Sequence, residues 1–336
     1  MEELTVSSHF VKAALRGAEQ RGFDPKELME QAGISKDLHD QNRARVTGRQ
    51  YTRLMQIIWR DLNDEYMGFA QTRSKPGTFA TMCQLILHSD TLGAAFNRGY
   101  RFYDLFSPPI SIALDTQGDS ASLVIGIDGQ LYDPDHFLIE SLLVIWHRLA
   151  CWLIGQRIKL DHATFCYPAP PHVAEYRHLF YCPMTFEAPR TAIHFHSKYL
   201  HHPIVRNEIE LRQFLKKSPA DLLGKPDDSN SYTAQIRKLI GKNLTEELPD
   251  FEWISSSLNL SPQTLRRRLK EESTSYQEIK DHMRRDLAIY HLSRKEFSIN
   301  EIAHQVGFTE PSTFHRAFKK WTGVTPGAYR MGEREA

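Results

Sequence analysis

The chain has 336 residues, 41% hydrophobic and 25% charged, with 18 Gly, 17 Pro and a formal net charge of +1. That length provides for about two domains with separate cores, and the composition excludes a disordered or low-complexity protein. A charge so near zero also excludes nucleic-acid binding by bulk charge, leaving only local clusters of cations to support it.

The N-terminus, MEELTVSSHFVKAALRGAEQ, places acids where a secretory leader needs bases, and charges break the later apolar runs before membrane-spanning length. A cytoplasmic protein without a membrane partner is expected. Cys83, Cys151, Cys166 and Cys182 lie far apart without C-x-x-C spacing, which suits reduced thiols rather than a disulfide framework.

In chain order, SSHFVKAALRGAEQRG and YTRLMQIIWRDLND repeat apolar residues at three and four spacing and predict amphipathic helices. FDPKELMEQAGIS imitates a helix-turn-helix but lacks cations where a recognition helix needs them, so packing is its expected role. YRFYDLF offers Tyr100, Tyr103 and Phe106 as candidate lining of an effector pocket, against the plainer reading of core aromatics. ISIALDTQGDSASLVIGIDG alternates apolar residues around a Gly-Asp-Ser turn and predicts a β-hairpin. His136 to Gly155 is apolar on nearly every face and predicts a buried central helix. Glu140, His147 and Arg148 inside it must be paired, stand at an end, or meet a ligand, since buried unpaired charge is costly. ATFCYPAP and TAIHFHSKY predict further strands, giving an α+β domain. His194 and His196 share a strand face, with His201 and His202 close behind, but no partner spacing completes a metal site, and none is expected. The sequence carries no H-E-x-x-H, G-x-S-x-G, Walker or G-x-G-x-x-G pattern, so neither an enzyme nor a bound cofactor is expected.

KSPADLLGKPDDSNSYT has the composition of a linker. The expected division is an effector-binding and self-association domain over 1–216, a linker over 217–231 and a DNA-binding domain over 232–332. Downstream of residue 230 there are 17 Lys and Arg against 14 Asp and Glu, upstream 25 against 27. The downstream cations cluster as LRRRLK, MRRD and FKKW.

FEWISSSLNLSPQTLRRRLKEE predicts a short helix, a turn at Asn259 and Leu260, and a second helix with Ser261 as its cap and Pro262 at its first position. SINEIAHQVGFTEPSTFHRAFKKW repeats the pattern: Ile302 matches Ile254, Gly307 matches Asn259, and Phe314, Arg316 and Phe318 match Leu265, Arg267 and Leu269 after a one-residue insertion. These are two helix-turn-helix signatures, at about 251–272 and 299–322. Tyr276, Ile279, Met283, Leu287 and Tyr290 predict one helix between them, roughly 27 Å long at 1.5 Å per residue. The four-residue apolar spacing turns Gln263, Arg266 and Arg267, and Ser312, His315 and Arg316, outward toward base edges. Thr264, Lys270, Thr313, Lys319 and Lys320 are expected on phosphates.

The run from Ser298 to Arg330 resembles the C-terminal signature of the AraC/XylS family of bacterial transcription regulators, through Ile302-Ala303, Gly307-Phe308, Phe314, Arg316, Phe318, Gly323, Pro326 and Tyr329-Arg330. The first copy departs at Ser255, where the family usually has Ala, and at Asn259, where Gly is common. GTFATMCQLILHSDTLGAAFNRGYRFYDLF and YRHLFYCPMTFEAPRTAIHFHSKYLHHPI are similar to the arabinose-binding-like effector domain of one branch of that family. The resemblance implies a sequence-specific regulator, more often an activator, that binds promoter DNA and a small organic effector, forms a homodimer through its N-terminal domain, and contacts RNA polymerase if it activates. The alternatives are a sequence-nonspecific DNA-binding protein and an enzyme domain fused to a DNA-binding tail.

Overall fold

The structure, a computed structural model, describes residues 5–36, 45–106, 109–127, 129–218, 231–241, 248–272, 274–292, 296–322 and 325–332. Residues 219–230, most of the expected linker, and Gly323 of the signature lie outside them. The chain forms two compact units, one of residues 10–28 and 52–226, the other of residues 1–9, 29–51 and 227–336. Two N-terminal segments thus group with the C-terminal part.

The elements begin with β1 (Thr5–Ser7), α1 (Ser8–Gln20), α2 (Pro25–Gln31), β2 (Arg45–Thr47) and α3 (Gly48–Leu62). Next come α4 (Thr78–Leu87), α5 (Leu92–Asp104), β3 (Ile110–Gln117), β4 (Ser120–Ile127) and α6 (Phe137–Ile154). The α+β unit continues through β5 (Leu160–Thr164), α7 (Val173–Phe180), β6 (Met184–Thr185), β7 (Thr191–His196) and α8 (Glu208–Lys217).

Its sheet has five strands in the order β3-β4-β7-β5-β6, antiparallel except for the β5 and β6 pair. The expected hairpin is β3 and β4, paired from Ile110 with Ile127 to Gln117 with Ser120. The strand expected over Ala163 to Pro170 stops at Thr164; Pro168 and Pro170 have no N–H to give to a ladder. The one expected over Thr191 to Tyr199 stops at His196, and a 3₁₀ turn follows from Ser197 to His201.

Helix α6 is the central buried helix. Among the described helices it alone is long and apolar enough to cross a membrane, and 78% of it is buried inside the fold. The Asp133 carboxylate starts it by accepting the N–H groups of Leu138 (2.9 Å) and Ile139 (3.2 Å), and Gly155 ends it in the left-handed conformation. Burial pushes the Asp133 carboxyl up to about 7.

The other unit is helical apart from a β1–β2 ribbon, in which Thr5 pairs with Thr47. Its helices are α9 (Tyr232–Ile240), α10 (Phe251–Ser257), α11 (Pro262–Glu271), α12 (Tyr276–Leu292), α13 (Ile299–Gln305), α14 (Pro311–Thr322) and α15 (Pro326–Gly332). The ribbon belongs here because β2 packs on α12, and the Tyr329 hydroxyl donates to the Arg45 carbonyl. Two apolar clusters hold the unit. One gathers Ile236, Ile240, Ile254, Leu265, Leu269 and Met283; the other gathers Ile289, Ile302, Val306, Phe314, Phe318 and Tyr329.

Candidate functional site

The α10 and α11 pair is set by capping chemistry. Asp250 caps α10 by accepting from the Trp253 N–H (2.7 Å), and Ser261 caps α11 by accepting from the Thr264 N–H (3.1 Å), with Pro262 in the first turn. Between them Asn259 takes φ 54°, the left-handed conformation that Asn tolerates. The α13 and α14 pair repeats the arrangement. Ser298 and Glu301 cap each other's backbone reciprocally at the start of α13, and Gly307 turns the chain at φ 80°.

The apolar spacing orients both second helices as expected. Leu265, Leu269, Phe314 and Phe318 are 0–1% exposed. Gln263, Arg266, Arg267 and Lys270 are exposed on α11, and Thr264 is half-buried; on α14 Ser312, Thr313, Arg316, Lys319 and Lys320 are exposed, and His315 is half-buried. Some of these groups have local partners. The Arg266 guanidinium lies 5.1 Å from the centre of the Phe251 ring, and the Thr264 hydroxyl is 2.8 Å from that of Ser261.

Of the three basic runs, MRRD is engaged inside the unit. Arg284 donates to the Gly307 carbonyl (3.1 Å) and lies 4.8 Å from the centre of the Phe308 ring, so it ties the turn of the second pair to α12. Burial lowers its pKa. Arg285 is ion-paired with Asp286 at 2.9 Å, both largely covered. The structure adds Glu272, whose carboxylate accepts the N–H groups of Tyr232 (2.8 Å) and Thr233 (3.0 Å) and so caps α9 from 40 residues away. Nothing in the local sequence pairs those positions.

In the α+β unit the candidate effector residues separate. Tyr100 and Tyr103 line one small cavity with Tyr66, Asp104, Ile110, Ile112, Leu142 and Trp146. Phe106 is not part of that lining; it is 53% exposed, its ring against Phe102. Glu140, His147 and Arg148 are also outside it and have internal partners. Glu140 accepts from the Tyr176 hydroxyl and meets His172 at 3.3 Å. The His147 ring sits 2.9 Å from the Ile158 carbonyl, and Arg148 donates to the Leu179 carbonyl at 2.7 Å. Each of the three has at least one partner within the fold, while Glu140 Oε2 and Arg148 Nε and Nη1 are buried without a hydrogen bond. Burial lowers His147 to about 3 and Arg148 to about 10.

His194 stacks on His162 at 3.9 Å, and its nitrogens meet the hydroxyls of Ser122 (2.8 Å) and Thr164 (3.2 Å). Both ring nitrogens are therefore occupied. No group of three His, Cys, Asp or Glu that could hold a metal occurs among the described residues.

Two families match the chain. The arabinose-binding domain of AraC transcription regulators covers residues 22–204, and a helix-turn-helix domain covers residues 254–332. The ornithine utilization regulator of Pseudomonas aeruginosa is 29% identical over 245 residues, which are 73% of this chain and 72% of the relative. The virulence regulon transcriptional activator VirF of Shigella flexneri is 36% identical over 105 residues, 31% of this chain and 39% of the relative. The transcriptional regulator CdpR of Pseudomonas aeruginosa, a solved structure, aligns over 96% of this chain and 97% of its own at 20% identity, with a TM-score of 0.33.

Proposed function

The chain is a DNA-binding transcription regulator of the AraC family with an N-terminal ligand-binding domain, and from that premise we propose that its two helix pairs are two helix-turn-helix readers joined by α12. The observation that carries this reading is the matched division of α11 and α14: apolar residues four apart face the core while Arg267 and Arg316 stand in solvent at equivalent positions. A guanidinium fork donates twice to the O6 and N7 of guanine, and Gln263 offers the corresponding pair to adenine. Arg266, Ser312 and His315 flank these groups. Thr264, Lys270, Thr313, Lys319 and Lys320 hold phosphates and set the register. The 17 residues of α12 span about 25 Å at 1.5 Å per residue. That rod suits recognition helices in successive major grooves, roughly 34 Å apart.

The α+β unit is the sensor for a small organic effector and the site of homodimer formation, and residues 219–230 fall in the linker. VirF is named as an activator, which favours activation here, with RNA polymerase as a partner in the cytoplasm.

The test is footprinting and titration on an operator selected from random duplexes. Arg267→Ala and Arg316→Ala should each weaken specific binding by about 1–3 kcal/mol and relax base preference at one place only. Unchanged footprints in both variants would refute the assignment. Competition with random duplex separates the nonspecific alternative: a regulator keeps a preference of roughly 1000-fold or more.

A further inference from the structure

We infer that the effector is a small organic cation whose ammonium head enters the aromatic cavity between α5, α6 and β3, with Asp104 at its mouth. This rests on the sensor reading of the α+β unit and adds the chemical class of the ligand.

Four aromatic residues meet at the cavity: Tyr66, Tyr100, Tyr103 and Trp146. The Trp146 ring centre is 5.1 Å from that of Tyr100 and 6.3 Å from that of Tyr103, at interplanar angles of 56° and 65°. The inclined rings pack together at the cavity, and Gly99 allows it, since a Cβ there would stand 2.7 Å from the Trp146 ring. The face of each ring carries the negative end of its quadrupole, which attracts a cation.

The polar groups at the cavity agree in sign. Asp104 contributes an exposed carboxylate, and no Lys, Arg or His is among the described residues that line the cavity. An anionic ligand would find the wrong field here, and a neutral apolar one would have no use for the acid. The Tyr100 hydroxyl is buried and has no hydrogen-bond partner, although a buried hydroxyl is normally bonded. An ammonium N–H donated to that oxygen supplies the missing bond. The space within the cavity is about 20 Å³, room for roughly one water-sized group. Such a space admits an ammonium head and leaves the rest of the ligand at the mouth beside Asp104.

The experiment is calorimetry and thermal shift on the full chain with n-butylammonium and 1,4-butanediammonium, against n-butanol and butyrate as uncharged and anionic controls. At least one ammonium compound should bind and raise the melting temperature, while both controls fail. Asp104→Asn, a change at an exposed position, should weaken binding by roughly 10-fold. Tyr100→Phe should weaken it by about 5-fold through loss of one hydrogen bond. No binding by any ammonium compound at millimolar concentration, equal binding of n-butanol, or unchanged affinity in Asp104→Asn would each overturn the assignment. Operator titration separates this proposal from the reading beneath it. Cations that bind the wild type and lose affinity in Asp104→Asn, yet leave operator binding unchanged, would support the site and refute its role as the effector switch. A neutral compound that changes operator binding without needing Asp104 would do the opposite.

Discussion

The two helix pairs reach one backbone solution with different side chains. In each, the first helix closes with the same two bonds: Asn259 N–H to the Ser256 carbonyl and Gly307 N–H to that of His304, both 3.0 Å, then Leu260 N–H to the Ser255 carbonyl and Phe308 N–H to that of Ala303, both 2.9 Å. Yet the first pair packs Leu265 and Leu269 where the second packs Phe314 and Phe318. Ser255 also stands where the second pair has Ala303. Its hydroxyl bonds to the Phe251 and Glu252 carbonyls at 2.9 Å each, so the buried polar group is satisfied inside its own helix. The turn geometry is therefore the shared requirement, and core volume is where the copies diverge.

Three sets of substitutions test that division. The largest effects belong to the cores. Phe318→Ala should destabilise the helical unit by about 3–5 kcal/mol and Leu269→Ala by about 2–5 kcal/mol, read from urea unfolding followed by helical circular dichroism. A greater loss for Leu269→Ala would break the idea that the second pair rests on the heavier packing.

The turns come next. Gly307→Ala forces a Cβ into the left-handed region and should cost about 1–2 kcal/mol. Asn259→Gly, which relieves the same constraint, should stay within about 0.5 kcal/mol of zero. Equal effects at both positions would mean that the turns are not equivalent.

The caps come last. Ser261→Ala and Ser298→Ala should each cost about 0.5–2 kcal/mol, because the Thr264 and Glu301 N–H groups lose their hydroxyl acceptors. Hydrogen exchange in the first turns of α11 and α13 would report each loss locally. Faster exchange at both ends from either single change would show that the pairs are not independent.

The helical unit was far more legible than the α+β unit. Leu265 and Leu269, like Phe314 and Phe318, declare a buried face by spacing alone, and that spacing fixes which way Arg267 and Arg316 point. Ser261-Pro262 marks a helix start in two residues of chain, and the Ser298–Glu301 box that the structure adds is equally short in range. In the α+β unit the apolar run of α6 foretold burial, but nothing local gave the partners of its buried polar groups. Glu140 finds Tyr176 36 residues on, and Arg148 finds the Leu179 carbonyl 31 residues on. Tyr100 and Tyr103 were visible as aromatics at helical spacing; that they meet Trp146, while Phe106 stays outside, depends on how α5 crosses α6.

What the sequence alone determined is whatever rests on short-range periodicity and backbone preference: the helices, their caps, the left-handed turns at Asn259 and Gly307, and the solvent-facing cations of α11 and α14. Tertiary structure decided the rest. It drew the β1–β2 ribbon into the helical unit through Tyr329 and Arg45, engaged Arg284 on the turn of the second pair, and gathered Tyr66, Tyr100, Tyr103 and Trp146 at one small cavity. The physical reason is range. Periodicity and capping act over about one or two helical turns, whereas a carbonyl or a ring face 20 to 300 residues away becomes a neighbour only once the cores have packed.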